Sequence, residues 1–128
     1  MEVRMENYKK KKIAIVGVSE DFQKFGYKIF RDLLKEGYDV EGINPKGGRI
    51  FEKKIYKSLN DLNRKPELVI TVVPPSVTDK VVEDCIKLGI KEIWMQPGSE
   101  FKKAIEKALK NGVKVTSNQC FMVEEGIW

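Results

Sequence analysis

Leu68-Val69-Ile70-Thr71-Val72-Val73-Pro74-Pro75 is the stretch on which the fold turns. Six residues in a row are apolar or β-branched, with no polar alternation, and two prolines end the run. A strand of this kind has both faces buried, which a parallel sheet covered by helices provides; the prolines stop it at once. Upstream, Ile13-Ala14-Ile15-Val16-Gly17-Val18 is a second such run. Between the two, Ile29, Phe30, Leu33 and Leu34 recur at helical spacing and Gly37 closes the helix. Residues 39–43 then read as a strand, stopped by the turn signal Asn44-Pro45-Lys46-Gly47-Gly48. Residues 49–64 are the least regular part, with Ser58-Leu59-Asn60-Asp61-Leu62 reading as one short helical turn.

Downstream, Ser76 and Asp79 resemble a capping box, with Asp at the usual Glu position. The helix they predict carries Val77, Val81, Cys85 and Leu88 on one face and ends at Gly89. Residues 92–96 read as a strand, and Ser99 as the cap of a last helix bearing Phe101, Ala104, Ile105, Ala108 and Leu109. Gly112 closes that helix before a strand over 113–116. Strands alternating with helices imply right-handed crossovers. The expected class is therefore α/β: a three-layer Rossmann-like fold, with a five-stranded parallel sheet flanked by helices.

Residues 1–128 leave room for a single domain, which buries roughly two thirds of its unfolded surface. No apolar run reaches the ~18 residues of a membrane span, so no membrane partner is expected. The first twelve residues are charged and lack the apolar core of a signal peptide, which makes the cytoplasm the expected compartment. Histidine is absent, removing the commonest general base and nitrogen ligand. The two cysteines, Cys85 and Cys120, show no metal spacing and suggest no disulfide. The net charge of +5 falls mostly on solvent-facing helix positions, and the lysine run before the first strand reads as a solvated lead-in. Aromatics are not interleaved with basic residues on one face, so nucleic acid is not an expected partner.

Open α/β sheets bind ligands beyond the carboxyl ends of their strands, and every strand exit here carries Gly, Pro, Asn or Ser. The first exit, residues 17–26, begins with Gly17-Val18-Ser19 and carries Lys24. It lacks the second glycine of G-x-G-x-x-G, yet a hydroxyl, a lysine and helix-end amides suit a pyrophosphate. A nicotinamide dinucleotide site places Asp or Glu at the end of the second strand. Here Asn44-Pro45-Lys46 stands there, with Arg49 close behind. A cation in that place favours a phosphorylated ribose, as in NADP or in coenzyme A with its 3′-phosphate.

The segments I-A-I-V-G-V-S with K-F-G, G-Y-D-V-E-G-I-N-P-K, I-Y-K-S-L-N-D-L, P-E-L-V-I-T-V-V-P-P, K-E-I-W-M-Q-P-G-S and N-Q-C-F-M-V-E, in this order, cover about residues 11–124. Together they resemble the small stand-alone CoA-binding proteins, relatives of the CoA-binding domain in the succinyl-CoA synthetase α-subunit. The resemblance implies that Gly17, Ser19 and Lys24 contact the pyrophosphate, with Val18 between them. It implies that Asn44, Pro45 and Lys46 hold the adenosine end, with Lys46 near its phosphate and Tyr56 lining the pocket. Val73, Pro74 and Pro75 would wall the ribose or adenine, and Gln96, Pro97 and Gly98 would face the pantetheine arm, with Asn118 and Cys120 at the last exit. Two positions depart from the family pattern: Val18 stands where alanine is usual, and Gln119 where a basic residue often precedes the cysteine.

Cys120 at the sheet edge is a candidate for a mixed disulfide with the CoA thiol, against the plainer reading of a partly buried cysteine. Cys85 and Trp94 are expected in the core. Trp128 is a packing residue or has no role, and Glu124 and Glu125 are solvated or structural. The expected function is binding of coenzyme A or acyl-CoA by a monomer or homodimer without catalysis of its own. The family's phosphoryl-accepting histidine is missing, and 128 residues leave no ligase domain. The alternative is an NAD(P)-binding redox module or small oxidoreductase.

Overall fold

The computed structural model describes residues 7–128; the start of the charged leader lies outside them. Its elements run β1 (Lys12–Val16), α1 (Phe25–Lys35), β2 (Asp39–Ile43), β3 (Arg49–Ile50), β4 (Lys53–Tyr56), β5 (Leu68–Thr71), α2 (Pro75–Leu88), β6 (Glu92–Met95), α3 (Lys102–Lys110), β7 (Lys114–Thr116) and α4 (Phe121–Glu124). Short 3-10 turns occupy Tyr8–Lys10 and Leu59–Asp61. The sheet has seven strands in the order β3-β4-β2-β1-β5-β6-β7. All pairings are parallel except β3 with β4.

Alternate strand residues feed two separate cores, the consequence of the two-residue side-chain period. Ile13, Ile15, Leu68, Ile70 and Trp94 point to one face, packed by Ile29, Phe30 and Leu33 of α1 and Phe121 and Met122 of α4. Ala14, Val16, Val69, Ile93 and Met95 point to the other, packed by Val81, Val82 and Cys85 of α2 and Ala104 and Ala108 of α3. Fully burying a side chain such as Phe30 or Leu33 contributes about 1.5–3 kcal/mol, so the three-layer arrangement rests on continuous apolar strands.

Expectations for the sheet and for two helices are corrected. The sheet has seven strands instead of five because the irregular stretch contains the β3–β4 hairpin, antiparallel at its edge. Ser76 does not cap α2: Pro74 is the cap residue and Pro75 the first helical residue, where a missing N–H costs nothing. Val77 is consequently 41% exposed, and Thr78 takes the inward position. Ser99 does not cap α3, which starts after Phe101; Ser99 is buried and bonded to β5 instead. Leu109, expected on the apolar face of that helix, is 57% exposed.

Candidate functional site

The strand order reverses at β1, with β2 and the hairpin on one side and β5, β6 and β7 on the other. The crevice beyond the carboxyl ends of β1 and β5 is where such sheets take ligands. Gly17 leaves β1 there, its N–H donating to the Ile43 carbonyl at 3.0 Å, while the Val72 N–H donates to the Val16 carbonyl at 2.8 Å. Gly17 has φ +109°, and a Cβ on it would collide with the Val72 carbonyl, so the position requires glycine. Gly26, in the first turn of α1, packs flush against the Gly17 carbonyl. The amino end of α1, which favours anions, is thereby drawn onto the turn.

Two polar side chains shape the neighbouring loops. Ser19 Oγ accepts the Asp21 N–H at 3.0 Å, leaving its own proton free to donate. Asn44 Nδ2 donates to the Val18 carbonyl at 2.7 Å, and its Oδ1 accepts the Lys46 N–H at 2.8 Å. Asn44 therefore ties the β1 exit to the β2 exit. Beneath the β6 exit, the one proton of buried Ser99 Oγ lies within reach of two carbonyls, Gln96 at 2.7 Å and Thr71 at 3.1 Å, while Thr78 donates to the Ser99 carbonyl at 2.7 Å. That knot fixes the Gln96-Pro97-Gly98 turn, in which Gly98 has φ +95°.

Three clefts meet around this edge. A polar cleft of about 270 Å³ is lined by Ser19, Glu20, Asn44, Lys46 and Arg49. A narrower slot of about 180 Å³ includes Gly17, Pro45, Leu59, Val73 and Val77, with Lys57 and Lys80 at its border. Lys80 pairs with Asp84 at 3.0 Å, and that bond raises its pKa above the usual lysine value. An apolar cleft of about 330 Å³ is lined by Phe25, Ile29, Val72, Gln96, Pro97, Cys120 and Trp128. Neighbouring residues join them: Asn44 and Pro45 link the first two, and Val72 and Val73, on opposite faces of the sheet, link the last two.

The sequence model of the CoA binding domain family matches residues 11–126. The chain belongs to that family. Its curated relatives include an ADP-forming acetate–CoA ligase of Methanocaldococcus jannaschii, 41% identical over 63% of this chain. The α-subunit of ADP-forming acetate–CoA ligase I of Pyrococcus furiosus is 30% identical over 88% of it. The aligned part spans only 12% and 28% of those two proteins. A conserved hypothetical protein from Pyrococcus furiosus superposes with a TM-score of 0.85 at 36% identity, covering 89% of this chain and 98% of its own. A hypothetical protein from Pyrococcus horikoshii superposes at 0.87 with 36% identity, covering 93% and 82%.

Of the residues named from the resemblance, the family fold brings Gly17, Ser19, Asn44, Pro45, Lys46, Val73, Gln96, Pro97 and Cys120 into the three clefts. Lys24 is exposed at the cap of α1, and Pro74 and Pro75 are exposed at the start of α2. Gly98 and Asn118 line none of the three clefts; both have positive φ, Asn118 at +61°. Val18 is fully buried, so it serves the site through its carbonyl alone. Its extra bulk over alanine lies against Gly42, where even a Cβ would stand 3.0 Å from the valine. The Tyr56 ring faces a separate cavity with Lys12, Glu41 and Arg64, away from the strand exits; its carbonyl accepts the Asn44 N–H at 2.9 Å.

Phe25, Ile29, Val72 and Trp128 join the site without having been assigned to the ligand from sequence. Phe25 sits inside the quoted K-F-G, a signal that was available. Trp128 is placed by α4 and by its Nε1–H bond to Asp32 at 2.8 Å, which no local pattern announces. Burial pushes the Cys85 thiol up to about 12, as befits a core cysteine. Cys120 is half-buried and its Sγ accepts from Gln96 Nε2 at 3.4 Å.

Proposed function

We propose that the chain binds coenzyme A or an acyl-CoA across the carboxyl edge of the sheet and performs no chemistry on it. The observation carrying this reading is the polar cleft at the β2 exit, where Asn44, Lys46 and Arg49 stand in place of a ribose-binding acid. The 3′-phosphate lies there beside the two cations, the pyrophosphate over the Gly17–Ser19 turn, and the adenine in the slot between Pro45 and Val73. The pantetheine arm runs toward Gln96 and Pro97. Family membership supports the ligand, and the curated relatives are named as CoA ligases. The absence of histidine supports a unit that holds the cofactor while any ligase chemistry lies elsewhere.

Calorimetric titration with CoA, dephospho-CoA, NADP and NAD tests this. CoA binds most tightly, and loss of the 3′-phosphate weakens binding about 5- to 30-fold, the effect of ~1–2 kcal/mol for charged hydrogen bonds at an exposed lysine. Lys46→Ala narrows the gap between CoA and dephospho-CoA. Failure to bind CoA, or tighter binding of NADP, overturns the proposal.

A further inference from the structure

The apolar cleft is the largest of the three at the ligand edge, and its chemistry differs from the others. Of its seven lining residues, five are hydrocarbon or aromatic and none is charged among the described residues. Its two polar members are already engaged: Gln96 Oε1 accepts the Phe121 N–H at 2.6 Å, and Gln96 Nε2 donates to Cys120 Sγ at 3.4 Å. Gln96 is only 5% exposed. A carboxylate entering this space finds no charged side chain in its wall, Lys28 Nζ lying outside the lining at 5.6 Å from the Phe25 ring centroid, and an added amide meets few open partners, so hydrocarbon fits it best.

The mouth of the cleft points the same way. Phe25 is 63% and Trp128 43% exposed, with ring centroids 6.1 Å apart and planes tilted by 43°. Trp128 is oriented by its bond to Asp32, whose carboxylate is paired with Arg31 at 2.7 Å. Two exposed aromatic rings in contact with each other beside an apolar cavity mark a place where apolar surface is to be covered. A volume of about 330 Å³ is about twice that of a ~150 Å³ apolar cavity that holds benzene, enough for a short to medium chain.

We propose that this cleft receives the acyl group of a hydrocarbon acyl-CoA thioester, so that the chain selects apolar acyl-CoA over free CoA and over dicarboxylic acyl-CoA. This rests on the CoA reading above, with the pantetheine arm leading past Pro97 into the cleft. The acyl chain lies against Ile29 and Val72, beneath the Phe25–Trp128 ring pair.

The test is calorimetric titration of the full chain with CoA and with acetyl-, butyryl-, hexanoyl- and succinyl-CoA. Each methylene buried tightens binding about fourfold, so hexanoyl-CoA binds about two orders of magnitude more tightly than acetyl-CoA. Succinyl-CoA binds at least about tenfold more weakly than butyryl-CoA, reflecting the carboxylate buried without a partner. Phe25→Ala and Trp128→Ala, both at exposed side chains, reduce the gain per methylene. Equal affinity for CoA, acetyl-CoA and hexanoyl-CoA overturns the acyl proposal and leaves the CoA reading standing. Tighter binding of succinyl-CoA than butyryl-CoA also overturns it. Failure of every member of the series, CoA included, overturns the CoA reading itself.

Discussion

Replacing Gly26 by alanine sets two effects against each other, and the structure decides between them. Gly26 is the second residue of α1, where alanine normally gains up to ~1 kcal/mol over glycine, and less in a first turn. Against that, the new Cβ would overlap the Gly17 carbonyl oxygen and stand 3.1 Å from the Gly17 carbonyl carbon and 3.3 Å from Val18 Cα. All three are backbone atoms, so no side chain can swing aside. Overpacking of this kind costs about 1–3 kcal/mol, leaving a net loss of roughly 1–2 kcal/mol. The larger consequence is functional. Relief comes by moving the Gly17–Ser19 turn away from the helix, which loosens the Asn44 bond to the Val18 carbonyl. Affinity for CoA therefore falls about tenfold or more, equal to ~1.4 kcal/mol of lost preorganisation. Urea unfolding measures the first effect and calorimetric titration the second. Gly112→Ala is the control: it has φ +75° with nothing within 4 Å of the added Cβ, so it loses ~1–2 kcal/mol of stability to left-handed strain and leaves CoA affinity alone. A Gly26→Ala protein as stable as the parent, with undiminished affinity, refutes the idea that flush packing of these two glycines builds the turn.

Asn44→Ala unties the two loops, costing about 1–2 kcal/mol and weakening CoA binding; unchanged values in urea unfolding and titration would count against Asn44 as the link. Of the two thiols, Cys120 reacts with a thiol reagent in the folded protein and is shielded by CoA, whereas Cys85, fully buried, reacts only on unfolding; fast labelling of Cys85 would contradict its core position. Cys85 also makes stability fall at alkaline pH. The unfolded thiol ionises above its ordinary value of 9.0 while the folded one holds its proton to about 12. Its contribution is therefore whole below pH 9 and lost as pH rises toward 12, by roughly 4 kcal/mol at most. Urea midpoints across that window check this, and Cys85→Ala removes that part of the slope.

The central strands were legible because each carries a code that needs no context. A run such as Leu68-Val69-Ile70 has nowhere to put a polar face, and both of its faces are indeed in cores. The caps were misread because Ser76 and Ser99 suit a helix start locally, while Pro75 takes the first helical position of α2 and Ser99 is claimed by Thr71 across the sheet. The β3–β4 hairpin was missed for a stronger reason. Its two-residue turn is Phe51-Glu52, both in the left-handed region at φ +53° and +64°, where Asn-Gly is the usual signal. Tertiary contacts hold it there: the Phe51 ring stacks on Tyr27 at 4.9 Å and Phe30 at 6.1 Å, and Arg49 bonds the Glu52 carbonyl at 2.7 Å. Neither aromatic partner is visible in a window of sequence around the turn.

The candidate site divides along the same line. Gly17, Ser19 and Asn44 could be read because each does a backbone job that only a few residue types perform, and such jobs leave a local signature. Lining residues do no such job, and which of them share a cleft depends on which face each strand exit turns to. Val72 and Val73 are neighbours in sequence yet belong to opposite cores, so a ligand touching both must cross the sheet edge at Gly17. The flush glycine pair shapes that edge, since a Cβ on Gly17 would run into the Val72 carbonyl and one on Gly26 into the Gly17 carbonyl. Tyr56, on the other hand, sits in a matching motif but turns its ring away and contributes a carbonyl that positions Asn44. Besides its bond to Asp32, Trp128 is carried to the cleft by the Phe121 N–H docking on Gln96 and the Ile127 N–H closing on the Met122 carbonyl. Its place follows from how α4 docks on Gln96 at the β6 exit, a residue that itself lines the cleft.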